Sequence, residues 1–391
     1  MLSIFRTGCQ TSLIPGTEVA IDEIMVRFHG RSSNTCKMLN KPIKQGYKIF
    51  ALAENGYVWH FQLSSRQHGI GELKKVDKLT PTGSIVLQMA RLLPKLPNSY
   101  YVLYLDNYFT SIPLFSMLWK ENIGAAGTTR ASGIDFPALL IVLRKSWPTK
   151  LEWGATVADV VNDVLCIGWQ DNSFVLGLST VYTIHEASSW VTSKRNCLSK
   201  TSTNANITRE VFGDLPFMDL DIPAFINDYN HYMNSVDLAN QHRQSYNTQK
   251  IAYRTWIPLF HWILDQAAIN AYKIAIISKT WSKTDNSAHL EFRRLLYEKL
   301  LDYSKLVDPQ IWKGPGPHKW IDRPTRQSCA MCCKRDKLKK KFIAEQEAVG
   351  IYIFKPSSGP KRPSQCRSGC GYCDVALCRM GTCFSDWHAQ K

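Results

Sequence analysis

Residues 100–111 read YYVLYLDNYFTS, and this stretch decides the fold. From Tyr100 to Phe109 it is a near-continuous apolar run with one acid, Asp106, towards its end. A strand with no polar alternation belongs at the centre of a sheet covered on both faces. Ser111 follows as a helix cap and Pro113 stands in the first turn of a helix running to about Gly124. Upstream, residues 18–28 alternate and are rich in Val and Ile, a second strand, with Asp22 inside it in the stretch VAIDEIMVRFHGR. Residues 48–64 read as a hairpin: KIFALAE and YVWHFQLS flank Asn55-Gly56, the dipeptide best suited to a tight primed turn. Strict alternation there puts Trp59, Phe61 and Leu63 on one face and His60 on the other, so His60 reads as a surface residue. Ser84 reads as the cap of a helix that Pro94 ends.

Strand, hairpin, helix, strand, helix suits an α/β fold with a mixed sheet of the ribonuclease-H type over residues 1–130. Residues 131–221 change character. Short β-like pieces such as VLCIGW and SFVLGLSTVYTI dominate, which predicts a β-rich insertion. The core resumes over 222–303. Pro223 opens a helix whose stripe is Ile226, Tyr229, Met233 and Val236. Asp237 falls within roughly 20° of that stripe at about 100° per residue, which points it at the sheet. A long apolar helix over about 256–278 follows. Residues 304–327 are rich in Pro, Gly and charge and read as a linker, and 328–391 form a cysteine-rich module.

Composition narrows the partner. Hydrophobic residues make up 45% of the 391, enough for a globular core. The formal charge of +16 points to a polyanion, and nucleic acid is the commonest one. No uninterrupted apolar stretch reaches spanning length, and the N-terminus lacks a signal-peptide core, so the expectation is no membrane partner and an intracellular, nuclear protein.

Asp22, Asp106 and Asp237 carry the chemistry if the fold brings them together. Three carboxylates can hold two hard divalent cations, Mg²⁺ or Mn²⁺, and such a pair cuts phosphodiesters. The expected division has Asp22 bridging both ions, Asp106 on one and Asp237 on the other. Glu23, on the opposite strand face from Asp22, reads as structural. Arg31, Lys41, Lys44 and Lys48 cluster downstream of Asp22 and are expected to contact phosphates, with a solvated edge as the plainer reading.

Eight of the twelve cysteines fall between Cys329 and Cys383. Cys329-x2-Cys332 and Cys370-x2-Cys373 have the bite of tetrahedral zinc. With Cys378, Cys383 and His388 they make seven ligands, and Cys333 or Cys366 is the candidate eighth for a two-zinc cross-brace module. A tail this small and polar has little else to hold it folded. Between the two pairs, residues 334–341 (KRDKLKKK) read as a nuclear import signal, a phosphate-binding loop or a solvated loop.

The order of these segments resembles piggyBac-type transposases, whose catalytic domain is a DDE/DDD ribonuclease-H-like fold. The matching stretches are IDEIMVRFHGR with KPIKQGYKIF, YLDNYFTSIPL with GAAGTTR, IGWQDNSFVLGLST, IPAFINDYNHYMNSVDLANQ, RTWIPLFHWILDQAAINAY and CGYCDVALCRMGTCFSDWH. The resemblance matches the family's three acids to Asp22, Asp106 and Asp237. A fourth acid that some members carry corresponds to Asn240, which can offer a carbonyl oxygen but no charge. It implies double-stranded DNA as partner, with nicking at transposon ends, hairpin formation and joining to TTAA targets. It also implies a homodimer and a tail that helps bind end DNA. Only 21 residues precede Asp22, where family members usually have a long region, so the resemblance implies a chain shortened at its N-terminus. Two rivals stand beside this reading: an inactive, domesticated DNA- or chromatin-binding derivative, and a zinc-scaffold protein of ubiquitin-ligase kind resting on the tail alone.

Overall fold

The computed structural model describes residues 2–391 except 40, 65–74, 98, 134, 146–150, 198, 202–204, 283–286, 307–319, 349–364, 371–374, 380–381 and 389–391. The chain divides into two compact units, Met1–Leu295 and Leu296–Lys391.

The first unit is a mixed α/β layer structure. After helix α1 (Leu2–Ser12) come strands β1 (Glu18–Arg27), β2 (Cys36–Lys37), β3 (Gln45–Glu54) and β4 (Tyr57–Leu63), then helix α2 (Pro81–Ala90). Strand β5 (Tyr101–Leu105), helix α3 (Ile112–Lys120), strand β6 (Ile123–Thr128) and helix α4 (Ala138–Lys145) follow. Next are β7 (Thr156–Val161), β8 (Val164–Gln170), β9 (Phe174–Ser179), β10 (Trp190–Asn196), α5 (Ala205–Thr208) and β11 (Phe217–Pro223). Helices α6 (Ala224–Tyr232), α7 (Ser235–Ser245) and α8 (Ile257–Ile277) follow, and α9 (Ala288–Leu306) begins in this unit and ends in the next.

Nine strands form one sheet in the order β2-β3-β1-β5-β6-β9-β8-β7, with β4 also on β3. β5 is the central strand its apolar run predicts, buried at every residue and parallel to both β1 and β6. Side-chain alternation sorts the two faces. Val19, Ile21, Leu103 and Leu105 pack under α2 and α3, while Ala20 and Tyr104 pack under α6 and Ile24 and Val26 under α7 and α8. Of the strands expected as a β-rich insertion, β7, β8 and β9 continue this same sheet, because β9 pairs with β6, while β10 and β11 pair with each other as a two-stranded sheet. Ser111 caps α3 as expected, accepting from the Leu114 N–H. Residues Asn55 and Gly56 both take positive φ in the β3–β4 turn, as a primed turn requires.

Gly127 is required where it stands. It pairs with Leu105 across β5–β6, and a Cβ there would run into the Leu105 carbonyl oxygen and come within 2.6 Å of Thr110 Oγ1. Gly127→Ala is expected to cost about 1–3 kcal/mol through overpacking. Urea denaturation checks this, and an unchanged midpoint refutes it.

Three local expectations fail for identifiable reasons. Leu52 pairs with His60 but Ala53 with Val58, so Trp59 is the extra residue of a bulge. The alternation slips there. Trp59 and Phe61 join opposite faces, and His60 is buried against Gln10, with burial and then the nearby Arg6 pushing its imidazole down to about 4. Thr80, not Ser84, caps α2. Ser84 sits inside the helix, where its hydroxyl accepts from the Val76 N–H. The helix opened by Pro223 breaks at Asn234 and restarts as α7, so the stripe's phase does not carry through to Asp237, which is exposed.

Two buried polar side chains of α8 are satisfied. Asn270 bonds both the N–H and the carbonyl of Val58 on β4, and Asp265 accepts from the Thr248 N–H at 3.0 Å. No helix among the described residues is long and apolar enough to cross a membrane.

The second unit holds strand β12 (Trp320–Ser328), helix α10 (Ala330–Ala348), strands β13 (Gln365–Cys370) and β14 (Val375–Ala376), and helix α11 (Cys383–His388). The stretch read as linker thus contains the end of α9 and a strand, since β12 pairs with β13. Lys334–Lys341 lies on α10 and is helical, not a loop.

Candidate active site

Two carboxylates meet by register. In the parallel pair β1–β5, Ile21 pairs with Leu105. The next residues are Asp22 and Asp106, so they stand side by side where β5 ends. Neighbouring strands lie about 4.8 Å apart. Asp106 bends its own turn, accepting from the Tyr108 N–H at 2.9 Å. Beyond Ile21, β1 is paired with β3 alone. Arg243 of α7 donates to the Met25 carbonyl on that strand at 3.4 Å. The start of α7 is fixed by Ser235, whose hydroxyl accepts from the Asn55 N–H and donates to the Tyr232 carbonyl.

Asp22 is only 6% exposed. Burial, then the charge of Glu23, then that of Asp106 push its carboxyl from 3.8 up to about 7, although the Glu23 N–H at 2.7 Å opposes the rise. Burial likewise raises Asp106, against the Tyr108 N–H. Tyr229 of α6 feels both acids. Burial and then their charges hold its hydroxyl up at about 12, against a hydrogen bond with Thr128 at 3.1 Å.

An acid whose folded pKa is raised binds its proton more tightly in the fold than in the unfolded chain. The fold is therefore favoured below pH 4, and stability is lost as pH climbs from about 4 through about 7. Asp22→Asn removes this loss. Without added Mg²⁺ or Mn²⁺ it is expected to raise the melting temperature at pH 8 by about 5 °C, the scale of a few kcal/mol, and to change little at pH 4. Thermal denaturation across that range checks it. A variant no more stable than wild type at pH 8 refutes it.

Asp237 stands in the first turn of α7 and makes no ion pair among the described residues. It lines a small cavity with Glu23, Met25, Lys41, Asn240 and Arg243. Asn240, half-buried, is thus beside Asp237, one turn along. Glu23 is the residue the sequence undervalued. It is buried, its Oε1 is 3.3 Å from Lys41 Nζ, and its Oε2 has no hydrogen-bond partner. Tyr229, in sequence only a member of a helix stripe, lies in the field of both acids.

The four basic residues part company. Arg31 and Lys44 are exposed, and Lys41 is held by Glu23. Lys48 is buried in β3, its ammonium 4.3 Å from the Tyr108 ring and 4.8 Å from that of Phe50. Its charge is spent on aromatic faces beside Asp106, not offered to solvent.

In the second unit, Cys329, Cys332, Cys378 and Cys383 bring their sulfurs within 4.8 Å of one another. Cys332 Sγ is 3.8 Å from Cys378 Sγ and 3.7 Å from Cys383 Sγ. That is the edge of a tetrahedron with metal–sulfur bonds of about 2.3 Å, and too long for disulfides. The group could hold a metal. Burial raises the Cys329 thiol, but the N–H groups of Cys332 and Cys378 outweigh it and bring it down to about 7, while burial and sulfur neighbours lift Cys383 to about 11. Cys370 is buried in the same apolar cluster but lies outside the four-sulfur group, as do Cys333 and Cys366. His388 Nδ1 lies 2.6 Å from the Phe384 carbonyl. Cys373 lies outside the described residues.

Comparison with known proteins places this arrangement. Human PiggyBac transposable element-derived protein 3 is 26% identical over 249 residues, 63% of this chain and 38% of that protein. Human PiggyBac transposable element-derived protein 2 is 23% identical over 281 residues, 70% of this chain and 42% of that protein. The chain therefore spans less than half the length of these relatives. Among solved structures, a cryo-EM structure of piggyBac transposase in a synaptic complex with hairpin DNA aligns with a TM-score of 0.57 at 18% identity, covering 91% of this chain and 62% of that one. The model of a transposase family described as Transposase IS4 matches residues 1–272, so the chain belongs to that transposase family, in which its likeness to these relatives marks it as of piggyBac type.

Proposed function

We propose that this chain is the core of a piggyBac-type DNA transposase, with a ribonuclease-H-like active site that cleaves and transfers strands at transposon ends and TTAA targets. One observation carries the proposal: the Ile21–Leu105 register puts Asp22, in the middle of β1, next to Asp106, the first residue beyond the end of β5. The donor set suits hard divalent cations. It is all carboxylate and carbonyl oxygen, and the buried Asp22 resists ionisation until a positive charge joins it. Asp22 and Asp106 would hold such ions with Asp237, helped by the Asn240 carbonyl. Two Mg²⁺ or Mn²⁺ ions bound there would activate a water or 3′-hydroxyl and stabilise the leaving oxygen.

The protein's own part is to fix the phosphodiester against those oxygens. A cavity of about 450 Å³ lined by Arg27, His29, Arg243 and Lys250 shares Arg243 and Pro42 with the acidic one. Its basic wall, with Arg31 and Lys44 nearby in sequence, suits a phosphate backbone running past the carboxylates. The four-cysteine group fits Zn²⁺, and a second zinc would draw on Cys370, Cys373 and His388 with Cys333 or Cys366. Double-stranded DNA as partner, a homodimer and a nuclear location belong to the same proposal.

The test is a Mn²⁺-dependent nicking assay on hairpin and end-mimic DNA, with Asp106→Asn as the control. Nicking that survives Asp106→Asn sinks the assigned site. Binding without any cleavage by the wild type supports the second reading, a domesticated DNA- or chromatin-binding derivative. Asn240, a neutral residue beside Asp237, is the observation that favours it.

A further inference from the structure

The Glu23–Lys41 pair does more than a surface ion pair would. The Glu23 side chain is 5% exposed and that of Lys41 39%. Glu23 Oε2 is buried without a hydrogen-bond partner. A buried, half-satisfied carboxylate is costly, and such groups persist where a ligand completes them. The oxygen belongs to a residue lining the same cavity as Asp237 and Asn240. Lys41 lines that cavity too, and its Nζ lies 3.3 Å from the other Glu23 oxygen, Oε1. Its ammonium therefore stands beside the carboxylate where a cation would stand.

The two partners differ in freedom. Glu23 is fixed in β1, paired with Phe50 of β3. Lys41 sits in the turn between β2 and β3, where its N–H donates to the Met38 carbonyl at 3.1 Å. Its long, partly exposed side chain can swing into water without unfolding anything.

Resting on the function proposed above, we propose that Glu23 is a fourth carboxylate of the cation site and that the Lys41 ammonium is its exchangeable counter-ion, displaced when divalent cations bind. The alternative is an ion pair that only braces the turn to the strand.

Mn²⁺ binding to the full chain, read by the electron paramagnetic resonance signal of free Mn²⁺, separates the two. Asp106→Asn is expected to weaken binding by about tenfold or more, which reports on the site itself. Glu23→Gln, which keeps the shape, is expected to weaken it by about tenfold, in line with losing one charged ligand. Lys41→Met removes the competitor and is expected to tighten binding by at least about threefold while lowering the melting temperature of the Mn²⁺-free protein. Lys41→Arg retains the competitor and is expected to bind as wild type does. If Asp106→Asn weakens binding but Glu23→Gln and Lys41→Met stay within about twofold of wild type, this inference fails and the function reading stands. If Lys41→Met weakens binding, the pair is a brace and the inference is overturned. If Asp106→Asn binds Mn²⁺ as wild type does, the site and the inference fall together.

Discussion

Asp106→Asn is expected to lower Mn²⁺-dependent nicking by at least about 10³-fold while leaving DNA affinity nearly unchanged. Cation ligation at a reacting phosphate is worth several kcal/mol of transition-state stabilisation, and each 1.4 kcal/mol is about tenfold in rate. The isosteric amide keeps the turn geometry. Its carbonyl oxygen can still accept from the Tyr108 N–H, as Asp106 does now at 2.9 Å. What is lost is the charge beside Asp22. Single-turnover cleavage and a binding isotherm on the same end-mimic duplex separate the two effects. Equal loss of affinity and rate would mean that Asp106 serves DNA binding or folding and not cation-dependent chemistry.

Removing metal from the cysteine-rich unit is expected to unfold most of it and leave the first unit intact. The apolar cluster there consists of Cys329, Met331, Cys370, Leu377 and Cys383, with Phe384 and Trp387 packed against it. That is too small to offset the chain entropy of the unit, whereas zinc contributes about 10–16 kcal/mol in comparable modules. Treatment with a zinc chelator, or Cys378→Ser, is therefore expected to abolish amide protection over β12, β13 and α11 and to spare β1, β3 and β5. Hydrogen exchange by mass spectrometry checks this. Protection that persists in β13 after chelation refutes a structural metal. Metal analysis of the same sample counts the ions. One zinc per chain matches Cys329, Cys332, Cys378 and Cys383 alone, and two would bring in Cys370 and His388.

The fold was legible where local chemistry and tertiary context agree. The unbroken apolar run before Asp106 announced a central strand. Asn55-Gly56 announced a hairpin, and Ser111 with Pro113 announced the start of α3. It was illegible where one residue shifts a phase. The bulge at Trp59 turned His60 inward, and the break at Asn234 turned Asp237 out. Neither leaves a mark in the hydrophobic pattern, because alternation and helical period are both counted from an assumed unbroken element. Lys48 misleads for another reason. A lysine in a strand reads as solvated until Tyr108 and Phe50 supply the aromatic faces that take its charge.

The sequence by itself determined the cast: a strand that carries Asp22, a strand that ends at Asp106, a helix that carries Asp237, and the Cys329–Cys332 pair with a metal's bite. These follow from short-range rules, since strand burial, turn chemistry and ligand spacing depend on neighbours within a few residues. Only the tertiary structure decided who meets whom. The parallel register of β1 with β5 joined Asp22 to Asp106 across more than eighty residues, and the packing of α7 on β1 brought Asp237 and Asn240 to Glu23 and Lys41. Electrostatics inside a buried cluster depends on distances that no local pattern contains, so Glu23, an ordinary acid in the sequence, became the half-satisfied carboxylate of the site only when the chain was folded.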